Sequence, residues 1–491
     1  MNGTLFASDA FPIAKIDRRL TSSLVEHLGR GVYGGIFDPG NVLADTDGYR
    51  EDVIQAIKEL QVPMIRYPGG NFVSGHNWED GIGPKDQRPQ QIDLAWKSIE
   101  TNQFGLDEFM AWLQKINAQP MMAVNLGTRG IPEACHLLEY CNMTTDTHWA
   151  NQRRKNGHPK PYAVKTWCLG NEMDANWQIG HKTAHEYGEL VNETAKAMKL
   201  IYPTIETIVC GSSNEATPTF GKWELKVLDE CYDNVDYISM HQYYDKPDHG
   251  TMHHIAKAIR MDQFINSVVA LCDAAKAFKK SDKVLNISFD EWNVWYHSND
   301  DTAKVSPWQE APRLLEDQYD FQDALLVGSS LITLLKHADR VKIACFAQLV
   351  NVIAPIMTSS TGMFKQTIFY PIMHVSKYAR GTVLRTNLQS DHYDVPEFGH
   401  VPYLDAIVVQ NTDNDYTVFA INRHQTDAMH LKLNLGQTQF HVLNHICYQG
   451  PNPHFQNSEE SQCVPHQLNS TYNDLTLPAF SWNVIRLRKN N

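Results

Sequence analysis

Two short stretches hold the residues best suited to do chemistry. Trp167-Cys168-Leu169-Gly170-Asn171-Glu172 closes an apolar run that opens at Val164, stops at a glycine and sets an amide beside a carboxylate. Some 120 residues downstream, Asn286-Ile287-Ser288-Phe289-Asp290-Glu291-Trp292 ends in a pair of acids. Apolar runs of this length read as buried strands, and polar groups at their ends as site residues at a sheet's carboxyl edge. Two such carboxyl groups suit glycosidic bond cleavage: one protonates the leaving oxygen, and the other attacks the anomeric carbon or activates water. Burial favours the neutral form of a carboxyl group, so one member of such a pair can hold a proton for donation. The plainer reading of each glutamate alone is a solvated strand-end residue.

The elements that must position these groups can be counted. From residue 24 to about 380, eight apolar runs (24–28 with an irregular continuation to 37, 64–67, 120–126, 164–169, 207–211, 237–241, 284–289 and 342–348) alternate with helix-period segments. In the segment 49–60, Val53, Ile54, Ile57 and Leu60 share one face, as a helix packed on a sheet requires. Eight strands alternating with helices predict the α/β class and a (β/α)8 TIM barrel with insertions; a doubly wound open sheet is the second choice. After Gly381 the pattern changes to period-two strands at 406–410, 416–421, 430–435, 441–447 and 482–487, separated by turn residues. This predicts a C-terminal, jelly-roll-like β-sandwich over 381–491, a barrel over 18–380, and an N-terminal segment 1–17 that adds a strand to the sandwich.

The formal charge is −13, and the lysines and arginines are scattered, which argues against nucleic acid and for a neutral partner such as a glycan. No 18-residue apolar run predicts a membrane span, and the N-terminus lacks the basic and apolar regions of a signal peptide. None of the nine cysteines sits in a C-x-x-C pair. Cys168, Cys210 and Cys345 fall inside strands as small hydrophobes, so the expected compartment is the reducing cytoplasm.

Four other signals are discounted. Gly29-Arg30-Gly31-Val32-Tyr33-Gly34 fits G-x-G-x-x-G, but Phe37-Asp38-Pro39-Gly40 follows where a dinucleotide site needs a helix. His181 and His185 are spaced for one helix face, without the H-E-x-x-H order of a zinc site. Arg153-Arg154-Lys155 reads as a solvated run in a polar loop. The N-x-S/T triplets at Asn142 and Asn469 matter only in a secreted chain. No cofactor and no metal are expected.

Four blocks together carry a resemblance: Arg66-Tyr67-Pro68-Gly69-Gly70-Asn71-Phe72, Gly170-Asn171-Glu172, Asp290-Glu291-Trp292-Asn293-Val294-Trp295-Tyr296, and Gln348 through Met357. In order and spacing, from about Glu26 to Pro371, the chain resembles the α-L-arabinofuranosidases of glycoside hydrolase family fifty-one. The resemblance implies Glu172 as general acid/base, Glu291 as nucleophile, and retention of configuration with the carboxyl groups roughly 5–5.5 Å apart. It further implies that Asn171 bonds the hydroxyl beside the anomeric carbon and that Tyr243 holds Glu291. Glu26, Asn71 and Gln348 would bind ring hydroxyls, Trp295 would pack on the ring, Trp96 would support the leaving sugar, and His241 would be a polar neighbour of the carboxylates. A core histidine is the alternative for His241.

Ala175-Asn176, His76 and Phe369 depart from the family's usual residues and bear on the leaving-group side rather than the reaction type. The expected activity is an exo-acting, retaining α-L-arabinofuranosidase that releases terminal non-reducing groups from arabinofuranosyl oligosaccharides. A retaining endo-glycanase of the same barrel clan, acting on xylan or glucan, is the alternative, and a non-catalytic carbohydrate-binding protein a third. By resemblance the assembly is a homo-oligomer, a hexamer.

Overall fold

In this computed structural model, which describes residues 1–436 and 439–490, eight parallel strands close into a barrel. In chain order they are β1 (Ser22–Leu24), β2 (Met64–Tyr67), β3 (Gln119–Val124), β4 (Thr166–Leu169), β5 (Glu206–Val209), β6 (Tyr237–Tyr244), β7 (Asn286–Val294) and β8 (Val341–Ala347). Each pairs with its sequence neighbour, and β8 pairs with β1 through Cys345 and Ser22. That closure rules out the open sheet. Helices such as Glu51–Leu60, Leu106–Ile116 and Ala184–Ile201 wrap the outside, each burying its apolar face.

The first strand begins and ends earlier than its apolar run suggests. Ser22 and Ser23 are buried and open β1, and Ser23 Oγ donates to Phe346 O on the neighbouring strand at 2.8 Å. Val25 and Leu28 are buried beyond its end, in the segment that carries Glu26 over the barrel mouth. Between β6 and β7 run two helices, Gly250–Ala256 and Ala258–Lys279, which meet at buried Lys257.

The C-terminal sheet has nine strands in the order His466–Leu468, Phe440–Tyr448, Ser481–Lys489, Asp415–Asn422, Leu404–Gln410, Thr382–Ser390, Asn2–Lys15, Met429–Asn434, Thr476–Leu477. Leu431 and Leu433 from one end and Phe440 from the other share one core, so the sheet folds over on itself. The 14-residue N-terminal strand lies inside it, antiparallel to Thr382–Ser390 and parallel to Met429–Asn434.

Period two also explains how the two halves adhere. Ala406, Val408, Val418 and Ala420 face the sheet's own core, whereas Ile407, Val409, Phe419 and Ile421 join the barrel's core. Helix Phe321–Lys336 is wedged between them and is buried at every position from Phe321 to Leu335. Among the described residues no helix is long and apolar enough to cross a membrane.

Candidate active site

Alternation along the strands fixes what the barrel mouth contains. Met64, Met121, Ala123, Cys168, Ile208, Tyr237, Ile343 and Cys345 form an apolar layer inside the barrel. Residues an even number of positions further along face inward as well. Arg66 therefore sits above Met64, and His241 and Tyr243 above Tyr237. In β7 the register with both neighbours slips between Ser288 and Trp292. That bulge lets two consecutive acids, Asp290 and Glu291, face the interior together.

At the end of β4, Gly170 has φ +96° and Glu172 φ +41°. A left-handed glutamate is a strained backbone of the kind held in place at functional sites. The turn presents Asn171 to Arg66 and Glu172 to His241. Opposite, the segment Pro68-Gly69-Gly70 comes so close that side chains would not fit: a Cβ on Gly69 would lie 2.3 Å from Glu26 Cγ, and one on Gly70 2.6 Å from Glu291 Oε1.

Arg66 is the hub. Its Nη1 donates to Glu291 Oε1 and its Nη2 to Asn171 Oδ1, both at 2.7 Å, and its Nε lies 3.6 Å from Asp290 Oδ2. Burial works against its charge, but the pull of Asp290 and the acids around it outweighs that and raises its pKa well above the ordinary value. Tyr243 Oη donates to the other oxygen of Glu291 at 2.8 Å. His241 bridges the carboxylates, with Nδ1 2.9 Å from Glu172 Oε1 and Nε2 2.9 Å from Asp290 Oδ1. Burial again opposes the charge, but Glu291, Asp290 and Glu172 raise the imidazole's pKa well above normal. Asp290 is correspondingly low, since Arg66 and His241 overcome its burial.

Oxygens of Glu172 and Glu291 and a nitrogen of His241 all lie within 4.8 Å of one another, a spacing that could suit a cation. An imidazolium that directs both N–H bonds at carboxylates has no lone pair to offer one. Glu26 is the other perturbed acid: burial and the charge of Glu291 push its pKa up to about 7, against the N–H donors of Phe72 (2.8 Å) and Trp96 (3.0 Å).

These groups surround a cleft of about 430 Å³. Of the residues singled out from sequence, Glu26, Asn71, Trp96, Glu172, Tyr243, Glu291, Trp295 and Gln348 line it. Asn171 and His241 are buried beside it and touch it through Arg66 and the carboxylates. Gln348 accepts from the Glu26 backbone N–H at 3.1 Å, which ties β8 to the segment after β1. Asn71 Oδ1 and Trp295 Nε1 are buried and have no hydrogen-bond partner among the described residues. Trp295 meets Tyr243 edge to face, 5.2 Å between ring centres.

Sequence reasoning passed over Arg66 and Asp290 as site residues, although inward alternation from Met64 was enough to flag the first. It also missed Trp177, an indole in a polar turn with no periodic signal, whose Nε1 donates to Glu172 Oε2 at 2.7 Å. Two discounted signals are placed differently from their reading. Arg153 is not a solvated loop residue: it lies in helix His148–Lys155, fully buried, and its guanidinium donates to the carbonyls of Tyr140, Met143 and His158. His181 precedes helix Ala184–Ile201, so it shares no helix face with His185.

A closed eight-stranded barrel with two carboxyl groups converging at the carboxyl ends of β4 and β7 defines a glycoside hydrolase. Residues 56–260 match the α-L-arabinofuranosidase 1 domain, and residues 290–481 the α-L-arabinofuranosidase C-terminal domain. The chain is 51% identical to an intracellular exo-α-(1→5)-L-arabinofuranosidase of Halalkalibacterium halodurans, over 100% of this chain and 99% of that protein. It is 50% identical to an exo-α-(1→6)-L-arabinofuranosidase of Bifidobacterium longum, over 86% and 83% of the two. The solved structure of a family 51 α-L-arabinofuranosidase from Bifidobacterium longum superposes with a TM-score of 0.93 at 40% identity, covering 99% of each chain. The chain belongs to the α-L-arabinofuranosidases of glycoside hydrolase family 51.

Proposed function

We propose that this site removes terminal, non-reducing α-L-arabinofuranosyl groups from arabino-oligosaccharides by double displacement, with retention. The observation that carries the reading is the approach of Glu172 and Glu291, one carboxyl oxygen of each lying within 4.8 Å of the other across the cleft. Retaining glycosidases hold their carboxyl groups roughly 5–5.5 Å apart, whereas inverting ones leave roughly 6.5–9.5 Å for a water molecule.

The surroundings divide the roles. Both oxygens of Glu291 are fixed by donors, Arg66 and Tyr243, which aims it as the nucleophile. Glu172 has the more exposed side chain, 11% against 7%, and stands where leaving group and water enter. In the first step Glu291 bonds to the anomeric carbon while the glycosidic oxygen departs with the proton of Glu172. In the second, Glu172 takes a proton from water, which attacks the same carbon and frees Glu291. Asn171 has its carbonyl oxygen on Arg66 and donates one amide N–H to Gln178 Oε1 at 3.3 Å, which leaves its other N–H for the sugar. Asn71 Oδ1 supplies an acceptor for a ring hydroxyl, and Glu26 and Gln348 bind further hydroxyls.

The α-(1→5) linkage is the first to test, because it is the one in the name of the full-length relative. The endo-glycanase reading is not favoured, since full-length relatives are named as exo-acting arabinofuranosidases. We take 18–380 as the catalytic unit and 1–17 with 381–491 as the sandwich, in keeping with the pairing of the N-terminal strand. An intracellular location accords with the relatives' names and with cysteines that are all unpaired. The hexamer rests on family resemblance alone and is tested by mass in solution.

The deciding experiment is a proton NMR time course on α-(1→5)-arabinotriose. The account expects single arabinose units, released first as the α-anomer. First release of the β-anomer would exclude double displacement, and release of internal fragments would exclude exo action.

A further inference from the structure

Both carboxyl oxygens of Glu172 already accept hydrogen bonds from the protein. Oε1 takes His241 Nδ1–H at 2.9 Å, and Oε2 takes Trp177 Nε1–H at 2.7 Å. The two donors differ in kind. His241 is buried and held from its other side by Asp290 at 2.9 Å, so Oε1 faces a fixed wall. Trp177 lies on the turn between β4 and helix Ala184–Ile201, lines the cleft, and is 53% exposed. Oε2 is therefore the oxygen that faces the leaving group. The indole N–H competes there with the proton that this oxygen has to carry.

We propose that Trp177 caps the proton-delivering oxygen of Glu172 in the free enzyme and is displaced by the leaving-group sugar, so that the acid is armed only when a leaving group is bound. The proposal rests on the acid/base role of Glu172. An N–H donor stabilises a carboxylate relative to the carboxylic acid. The cap thus favours the base form; when the indole leaves, Glu172 takes up a proton from solvent and gives it to the glycosidic oxygen as the C1–O bond breaks and the bond from C1 to Glu291 forms. Once the leaving sugar has gone, the indole can return as Glu172 accepts a proton from water. The displacement needs no change in the barrel, because the turn carries the indole on the solvent side of the cleft.

Other charged and titratable groups face Glu172. They are His241 and Tyr243 from β6, Glu291 from β7, and Asp174 on the same turn, whose pKa burial raises to about 6; Asp290 and Arg66 stand one contact further away, behind His241 and Glu291. All of them are unchanged in Trp177→Phe, which keeps an aromatic ring and removes the N–H. Comparing the variant with the wild-type enzyme isolates the cap.

The test is the pH dependence of kcat/KM and of kcat for both enzymes on α-(1→5)-arabinotriose. The first quantity reports groups in the free enzyme and the second groups in the bound complex. Losing a hydrogen bond to a carboxylate moves the alkaline limb of kcat/KM upward by about one pH unit, so above that limb the variant is up to about tenfold faster. The alkaline limb of kcat stays in place, because the bound leaving group has already displaced the indole. An unmoved limb in kcat/KM would overturn the cap, and an equal shift in kcat would overturn the displacement. A dinitrophenyl arabinofuranoside separates these failures from failure of the acid/base reading, since its leaving group needs no proton. If the wild-type limb in kcat/KM persists on that substrate, Glu172 is not the acid it titrates.

Discussion

Replacing Arg66 by lysine asks whether a guanidinium fork, and not merely a positive charge, sets the geometry of the nucleophile. Arg66 is 1% exposed and makes two bonds of 2.7 Å, one to Glu291 and one to Asn171, with Asp290 3.6 Å from its third nitrogen. A lysine ammonium keeps the charge but is a single point on a flexible stem, so it cannot serve both partners in that planar arrangement. Losing one charge-assisted hydrogen bond costs about 1.5–3 kcal/mol. If that loss falls on the transition state, where Glu291 must be in line with the anomeric carbon, kcat/KM drops about 10- to 150-fold. The assay is kcat/KM on an aryl arabinofuranoside at neutral pH, alongside thermal melting. Arg66→Met, which leaves Asp290 and Glu291 facing His241 as the remaining cation, is expected to lose about 3–5 kcal/mol of stability as well. A lysine variant within threefold of the wild-type rate, with an unchanged melting temperature, would refute the reasoning that the fork positions the nucleophile.

Other outcomes follow from the same geometry. Glu291→Ala is expected to abolish turnover of every substrate, whereas Glu172→Ala spares activated aryl arabinofuranosides far more than natural linkages, because a good leaving group needs no proton; equal losses on both substrate types would break the assignment. Glu26 has its pKa raised from 4.5 to about 7 by burial and by Glu291. The folded protein therefore binds a proton there that the unfolded chain gives up, and this contribution, full below pH 4.5, is lost as pH rises to about 7. Between pH 5 and 8 the wild-type protein should lose stability on the order of 3 kcal/mol relative to Glu26→Gln; parallel urea titration curves for the two proteins would show that Glu26 is ordinary.

Much of this was legible because burial and periodicity act together in a barrel. An apolar run such as 164–169 has one stable home in a parallel sheet, and its polar terminus must emerge where the strand ends. Glu172 and Glu291 could be paired on that ground before any distance was known. What the residues did not reveal were contacts decided by backbone irregularity. The bulge at Asp290–Glu291 breaks period two: counted on from Phe289, which packs outward, Asp290 faces in and Glu291 would face out, until the slipped register turns Glu291 inward as well, toward His241 and Arg66. Trp177 belongs to a turn whose path depends on left-handed Glu172 and on a cleft that exists only once the barrel has closed. Arg153 was misread for the opposite reason: a run of three basic residues is usually solvated, but here one of them, buried on a helix, satisfies three carbonyls.

Intact-mass analysis of Glu172→Ala, quenched during turnover of a dinitrophenyl arabinofuranoside, tests the central claim most directly. Without its base the variant can form the glycosyl-enzyme but hydrolyses it slowly, so the account predicts one arabinosyl group per chain, located on Glu291 in the peptide map. Steady turnover with no adduct, or an adduct on any other residue, would contradict double displacement through Glu291.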